Sequence, residues 1–486
     1  MPDYSRKWLA FIAVAAGTLL ATIDSSIVNI AVPTLVREFN TSLSSVEWVV
    51  LSYLLTITAF LLLVGRLGDM FGKKRIYQAG FVIFTLGSAL CSLANSVQLL
   101  IVARVFQALG GAMIQALGQA LLVTAFPSSE RGKALGVAST VAAVGLVMGP
   151  VLGGILLFNV GWRSIFWINI PIGIIGILLG IRGLADDHTR STHRFDYLGA
   201  ALFSLSLLGL LFGLTEAEAW GWSDLRIIAC VVGGIVCGGL FVWWELRAPE
   251  PMLKLGIFRS RAFTYSLLTL ALVTCGIGFL QLIFPIYLQV IHGMDQQSSG
   301  FVMVGQALTL AALAPICGQL SDKYGFGLFT IGGLVVMITG MIGFGLAQPA
   351  TSLVLIVIWL MILGVSYGMF FSPNTSMVIG SVPREMLGVG GSLLAVMRNM
   401  GQSVGLALSG AVWSGRVTAL MGYSVQPLTD APINVLNLAR TQTMFVAAGL
   451  VAVAIIPCIL GSVAASKVLV QNPIDAEAMR EAVVLD

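Results

Sequence analysis

Three ionisable residues, Asp24, Arg104 and Arg398, stand deep inside long apolar runs. Such residues are costly at membrane depth and mark functional sites by default. Asp24 lies beside a polar stripe: Thr18, Thr22, Ser25 and Asn29 recur at i, i+4, i+7 and i+11, one face of a helix. A helix that met only lipid would not carry that stripe, so it is expected to face a wet cavity or another helix. Desolvation favours the protonated form of a carboxylate. An acid placed there can bind either a proton or a cationic substrate, which is the property proton coupling requires. Helix rise puts Asp24 about 20 Å from one end of its span and Arg104 about 10 Å from the opposite end of its own. In a core about 30 Å thick the two depths coincide. A pair, direct or through water, would explain how each is tolerated; alternatively Arg104 satisfies carbonyls of its own half and never meets Asp24. Arg398 falls near midplane, where it bonds Asn399 or carbonyls, or faces the cavity.

The elements that must hold these residues follow from composition. Of 486 residues, 57% are hydrophobic and only 10% charged. Ordinary soluble domains carry about 25% charged residues, so a soluble globular enzyme of this length is excluded, as is disorder. The expected class is an all-α integral membrane protein. Apolar runs fall near 8–32, 46–64, 76–94, 98–125, 134–158, 164–183, 197–214, 226–245, 262–290, 299–320, 327–347, 352–372, 386–413 and 441–461. That is fourteen spans, with both termini on one side. The first run is read as a retained helix and not a cleavable signal. With the N-terminus cytoplasmic, the inner segments hold nineteen Lys and Arg and the outer ones five, Arg37, Arg163, Arg226, Arg416 and Arg440. That asymmetry sets the orientation. The six cysteines all lie in apolar runs without metal or redox spacing and read as small buried hydrophobes.

The chain also repeats itself. Gly65, Leu67, Asp69 and Gly72 after span 2 match Gly318, Leu320, Asp322 and Gly325 after span 10, at a constant offset of 253. Gly149-Pro150-Val151-Leu152-Gly153-Gly154 in span 5 resembles Gly401 to Leu406 in span 13 at nearly the same offset. Spans 1–6 and 9–14 are therefore expected to be two six-helix pseudo-repeats, with spans 7 and 8 inserted between them. The boundaries read as 1–183, 184–260 and 261–462, with a cytoplasmic tail at 463–486. Paired repeats are typical of secondary transporters, whose substrate site lies at the repeat interface near midplane.

Several motifs in order sharpen this reading. Gly65-Arg66-Leu67-Gly68-Asp69 with Gly72-Lys73-Lys74-Arg75 resembles the loop motif between spans 2 and 3 of the major facilitator superfamily. Arg104, Gln107, Gly110, Gly111 and Ala112 resemble its span-4 motif. Gly145, Gly149, Pro150, Gly153 and Gly154 resemble its antiporter motif. Asp24, Ile27, Val28, Asn29, Ala31 and Pro33 resemble the span-1 motif of drug exporters, and Trp162-Arg163 with Ile168 to Gly173 a span-6 signature. The whole chain resembles the fourteen-span drug:proton antiporters, which include multidrug and quaternary-ammonium exporters. The resemblance implies that Asp69 caps the start of span 13, near Gly388 to Gly391, and latches the two halves on the cytoplasmic side. A carboxylate favours a helix N-terminus in any case. The glycines of span 5, four apart, give a smooth face for close helix contact, which Pro150 can bend.

The second repeat lacks a counterpart of Asp24: the offset lands on Ile277. Glu47, Glu216 and Glu218 fall at outer edges and are expected to be solvated. Candidate cavity residues are Ser25, Asn29, Gln115, Gln281, Tyr287, Gln306, Tyr367, Asn374, Arg398 and Gln402. A largely apolar site with few polar groups suits lipophilic substrates. The expected activity is proton-coupled export of lipophilic, monocationic drug-like compounds by alternating access across the cell membrane, with Asp24 and Arg104 coupling the proton. The alternative is export of a specific metabolite, natural product or lipid-like molecule. Expected partners are small lipophilic substrates, protons and the bilayer, with no nucleic acid, for a monomer with no cofactor or metal. Gly401-Gln402-Ser403-Val404-Gly405 matches a nucleophile-elbow pattern, whose context is strand–turn–helix. Inside a helical repeat it is read as coincidence. No Walker A sequence or HExxH occurs, so the energy is expected from an ion gradient.

Overall fold

The computed structural model describes residues 6–127, 130–185, 196–221, 224–249, 251, 253, 255–382, 387–423 and 430–471. The chain runs through α1 (Lys7–Glu38), α2 (Leu43–Phe71), α3 (Lys73–Ser92), α4 (Val97–Ala125), α5 (Arg131–Asn159), the single turn α6 (Ser164–Trp167), α7 (Asn169–Gly183), α8 (Tyr197–Trp220) and α9 (Leu225–Glu245). It continues through α10 (Arg261–Ile286), which passes into a π turn (Tyr287–Ile291), then α11 (Gln296–Tyr324), α12 (Phe326–Leu346), α13 (Leu353–Gly380), α14 (Leu387–Met421) and α15 (Ile433–Gln471). Among the described residues every apolar run is built on a helix, the sixth being broken between α6 and α7. Among the described residues, twelve helices are long and apolar enough to cross a membrane. The others are α3, which opens on Lys73, Lys74 and Arg75, and α5, of which Met148–Asn159 is a shorter apolar helix.

Helices α1 to α7 pack mainly on one another, with α1 held between α4, α5 and α7, and α3 laid along α4. Helices α10 to α15 form a second group, with α10 against α14 and α15, and α13 against α11 and α12. The groups meet along α5 with α11 and α13, and along α14 with α2 and α4. Helices α8 and α9 pair with each other, and α8 leans on α2 and α14. Leu225, Ile228, Val232, Ile235, Val236 and Leu240 of α9 are exposed on one continuous apolar surface. A surface of that kind belongs against lipid tails, since soluble monomers rarely expose one so large.

The repeat is written into the backbone. Gly72 (φ 98°) closes α2 and Gly325 (φ 96°) closes α11. Each N–H donates at 2.9 Å to the carbonyl four residues back, Gly68 and Ser321. All four positions obey the 253-residue offset. That φ is strained for any residue with a Cβ, so glycine is required at both turns. A second echo is an arginine reaching carbonyls at the end of the third helix of its own group. Arg163 donates to Ala94 O at 3.3 Å, and Arg440 donates to Phe344 O at 2.5 Å and to Gly345 O and Ala347 O. Ala94 and Ala347 stand at the same offset. Arg440 thus lies inside α15 and is buried, not in an outer segment as expected. The helix starts at Ile433, earlier than the apolar run, and these carbonyls satisfy the guanidinium inside it.

Candidate functional site

Asp24 and Arg104 form a direct ion pair, with both side chains 0% exposed. Asp24 projects from mid-α1 and Arg104 from α4. Arg104 Nη1 donates to Asp24 Oδ2 at 2.5 Å, while Asp24 Oδ1 accepts from Gln107 Nε2 at 2.9 Å and Asn169 Nδ2 at 2.6 Å. Gln107 follows Arg104 by three residues, so both point the same way from α4. Arg104 also donates to Val49 O at 3.2 Å and Gln107 Oε1 at 2.7 Å, and its guanidinium lies 3.9 Å from the Tyr53 ring centroid. Gln107 Nε2 is held by Ser88 Oγ at 2.7 Å. Asn169 reaches Asp24 because it opens α7 at the break after α6. Five helices thus meet around one ion pair and its Gln107 neighbour. Of the two arrangements the sequence allowed, direct pairing is the one present, although one Arg104 contact does go to a carbonyl. The roles of Gln107, Asn169, Ser88 and Tyr53 were not read from sequence. Gln107 and Asn169 sit within two of the resembling motifs, which is the signal that could have found them.

Asp24 does not face the space between the groups. Two small cavities lie there, of about 30 Å³ and 40 Å³, room for one to a few waters each. The first is bordered by Thr22 and Ser25 of α1, Gln115 of α4, and Arg398, Asn399 and Gln402 of α14. The second is bordered by Asn29, Pro150, Gln281, Gln306 and Tyr367, with Met303 and Phe284 among its apolar walls. The polar stripe therefore does line the cavities, through Thr22, Ser25 and Asn29. Asp24, one residue before Ser25, is turned by about 100° into the α1–α7 group. Direct competition of a proton and a cationic substrate for Asp24 has no geometric support in this conformation.

The remaining expected cavity residues divide. Gln115 Oε1 accepts from Asn399 Nδ2 at 3.1 Å, joining α4 to α14, and Gln281 Oε1 accepts from Gln402 Nε2 at 2.8 Å. Tyr287 lies off both cavities. Its hydroxyl donates to Gln348 O at 3.0 Å and its ring sits 4.5 Å from the Arg440 guanidinium, so it packs as part of the Arg440 cluster. Asn374 is buried in α13 outside both cavities. Glu216 is buried and accepts from Trp48 Nε1, which corrects the expectation that it is solvated: the indole N–H takes the place of water. Glu47 is half-buried, and the Glu218 side chain lies outside the described residues.

The motif glycines of α5 pack mostly within their own group. A Cβ on Gly149 would lie 2.9 Å from both Ile23 O and Ile27 N, and one on Gly153 would lie 3.0 Å from Ile27 O. Gly145 faces Thr22 in the same way. This face clasps α1, the helix that carries Asp24, and not the other group as a gating contact would require. The contact between groups is made by its neighbours. A Cβ on Gly300 of α11 would lie 3.1 Å from Val151 O, 3.2 Å from Gly154 Cα and 3.5 Å from Pro150 O. Gln289 Nε2 also reaches Ile30 O at 3.4 Å at that end. At the opposite end, a Cβ on Gly65 would stand 3.5 Å from Ser392 Oγ, and one on Gly391 3.3 Å from Gln119 Cβ. The groups thus touch at both ends around the cavities. The side chain of Asp69, and with it the expected cap on α14, lies outside the described residues. Lys73 is half-buried and Arg75 exposed at the start of α3. Gly401 and Gly405 press on the α10 backbone near Ala271 and Cys275, so the nucleophile-elbow pattern is a helix contact.

Two packed groups of apolar helices with cavities between them suit a membrane transporter, and the comparisons with known proteins agree. The profile of the Major Facilitator Superfamily matches residues 14–406, so the chain belongs to that superfamily. It is 35% identical over 419 residues to the riboflavin transporter RibZ of Clostridioides difficile (strain 630), covering 85% of this chain and 90% of the relative. It is 31% identical over 415 residues to the tetracenomycin C resistance and export protein of Streptomyces glaucescens, covering 85% and 77%. In fold it is similar to a bacterial homologue of the human lysosomal transporter Spinster, in an inward-facing, unoccupied conformation, with a TM-score of 0.63, 17% identity and coverage of 96% and 98%.

Proposed function

We propose that the chain is a proton-coupled antiporter that exports lipophilic, drug-like compounds from the cell by alternating access. It works as a monomer in the plasma or inner membrane, with fourteen spans, cytoplasmic termini, a bundle at 1–183, inserted helices at 184–260 and a second bundle at 261–462. The observation that carries the coupling is the sealed Asp24–Arg104 pair. Removing one partner's charge in such a pair leaves the other buried and uncompensated, at a cost of about 3–5 kcal/mol. Protonation of Asp24 does the same to Arg104. Arg104 must then find other acceptors, and Val49 O and Gln107 Oε1 are already within reach. The helices that carry these groups, α1, α2, α4 and α7, must shift relative to one another. Since α1 borders both cavities and is clasped by α5, a proton on Asp24 reaches the substrate site by moving the helix, not by sharing the carboxylate. The monocation preference expected from a lone deep acid therefore loses its basis.

The test is substrate-dependent proton flux in proteoliposomes under an imposed pH gradient, with Asp24→Asn beside the unaltered protein. Coupled flux is expected for the unaltered protein only; equal flux in the variant would remove Asp24 from coupling. A second reading, export of one specific metabolite on the same fold, is favoured by the riboflavin transporter among the relatives. A substrate panel in the same assay separates the two, since a specific exporter responds to one compound.

A further inference from the structure

The two fully buried arginines among the described residues have acceptors. Arg104 has Asp24, Val49 O and Gln107, and Arg440 has three carbonyls and Asn437. Arg398 of α14, partly buried on the wall of the first cavity, has no hydrogen bond or ion pair among the described residues. No carboxylate among the described residues borders that cavity. Asp24, the nearest deep acid along α1, is turned away and closed by Arg104, Gln107 and Asn169. A guanidinium at midplane without a counter-ion attracts an anion strongly, because the surrounding dielectric is low. It repels a lipophilic cation for the same reason.

We infer that this cavity takes the carboxylate or delocalised oxyanion of a lipophilic organic acid, with Arg398 as its binding residue. The planar fork of a guanidinium fits a planar oxyanion through two parallel hydrogen bonds. The surroundings suit such an amphiphile. Next to Arg398, Asn399 and Gln402 supply polar atoms for the head group, while Leu270 and Phe371 supply apolar wall. The hydrogen-bonded pair Gln402–Gln281 stands between the first cavity and the second. Beyond it, Phe284, Met303 and Leu363 offer apolar surface for the rest of the molecule. When the groups part, that amide pair can open and join the two spaces. This assignment rests on the export reading and names the chemistry of its substrate.

The test is equilibrium binding to the full chain in nanodiscs, with no gradient. Three probes share one ring system: 1-pyrenebutyrate, 1-pyrenebutanol and (1-pyrenebutyl)trimethylammonium. Binding to protein-free discs is subtracted. The unaltered protein is expected to bind the butyrate at least about tenfold tighter than the alcohol, and the cation no better than the alcohol. Arg398→Gln should bring butyrate affinity down to that of the alcohol. Arg398→Lys should retain part of the preference, because a point charge replaces the fork. Unchanged affinity for the alcohol shows that the variants are folded, and the order among probes in the unaltered protein needs no variant at all. A cation bound as tightly as the butyrate, or a butyrate preference that survives Arg398→Gln, would overturn the inference. Anion-selective binding without proton-coupled flux would sink the coupling reading and uphold this one; coupled flux without anion preference would do the reverse.

Discussion

At the scale of single residues, the deep charges fall into two separate places. Asp24 and Arg104 neutralise each other inside one helical group, whereas Arg398 borders the first cavity between the groups. The separation predicts a specific stability pattern. Asp24→Asn leaves Arg104 buried without its counter-ion, so we expect a loss of about 3–5 kcal/mol, seen as a clear drop in melting temperature in detergent. The double variant Asp24→Asn with Arg104→Gln removes the orphaned charge and should recover much of that loss while remaining uncoupled. A double variant no more stable than Asp24→Asn would mean that the two charges do not interact as described. The depth of each residue could be read from sequence, because helix rise is regular. Which way each pointed could not. Asp24 and Ser25 are adjacent in sequence but face opposite surroundings, and only the positions of α4 and α7 decide that. Tyr287 illustrates the same limit: a tyrosine in an apolar run fits a cavity wall until Arg440 claims its ring.

At the scale of helices, small residues fix how closely α1 and its neighbours pack. Adding a methyl at Gly149 places it 2.9 Å from the backbone of Ile23 and Ile27, which cannot move without displacing α1. We expect Gly149→Ala to destabilise by about 1–3 kcal/mol and to reduce coupled flux, because α1 carries Asp24. Gly239 on α9 meets nothing within 4 Å of an added Cβ, so Gly239→Ala serves as the control and should leave both unchanged. Equal losses at the two sites would show that the α1–α5 contact has no special role. Capping chemistry at the edge of the bundle is local. Asp224 accepts from the backbone and side chain of Arg226 at the start of α9, and those bonds hold its carboxyl down to about 2. Because the folded value is depressed, whatever this contact contributes is present above the ordinary carboxylate range and is lost only as pH falls towards about 2. Acidifying the medium to pH 5 is therefore expected to leave the α8–α9 pair intact, which hydrogen exchange at the amides of α9 can check.

At the scale of the whole molecule, the repeat was the most legible feature, because a turn that needs a positive φ admits little but glycine. Gly72 and Gly325 therefore mark the same turn in each half. The α5 motif was legible as a contact face but not as to its partner, since a row of glycines says that something is close without saying what. On the proposed function, the unlike contents of the two halves set the energetics of transport. Among the described residues, the first half holds the buried Asp24, and the second brings the Arg398 guanidinium to the cavity. If one lipophilic anion leaves as one proton enters, two positive charges move inward in effect. Each charge crossing 100 mV is worth about 2.3 kcal/mol, so the membrane potential contributes about 4.6 kcal/mol per 100 mV in addition to the pH gradient. A monocation exchanged for one proton would move no net charge and ignore voltage. We therefore expect 1-pyrenebutyrate transport in proteoliposomes to speed up when a potassium–valinomycin potential is made negative on the cytoplasmic face, even with equal pH on both sides. The response should be absent in Asp24→Asn and Arg398→Gln alike, for different reasons. The first retains selective binding without proton exchange, and the second retains the proton site without its anion. Transport that responds to the pH gradient but not to voltage would defeat the one-proton, one-anion exchange.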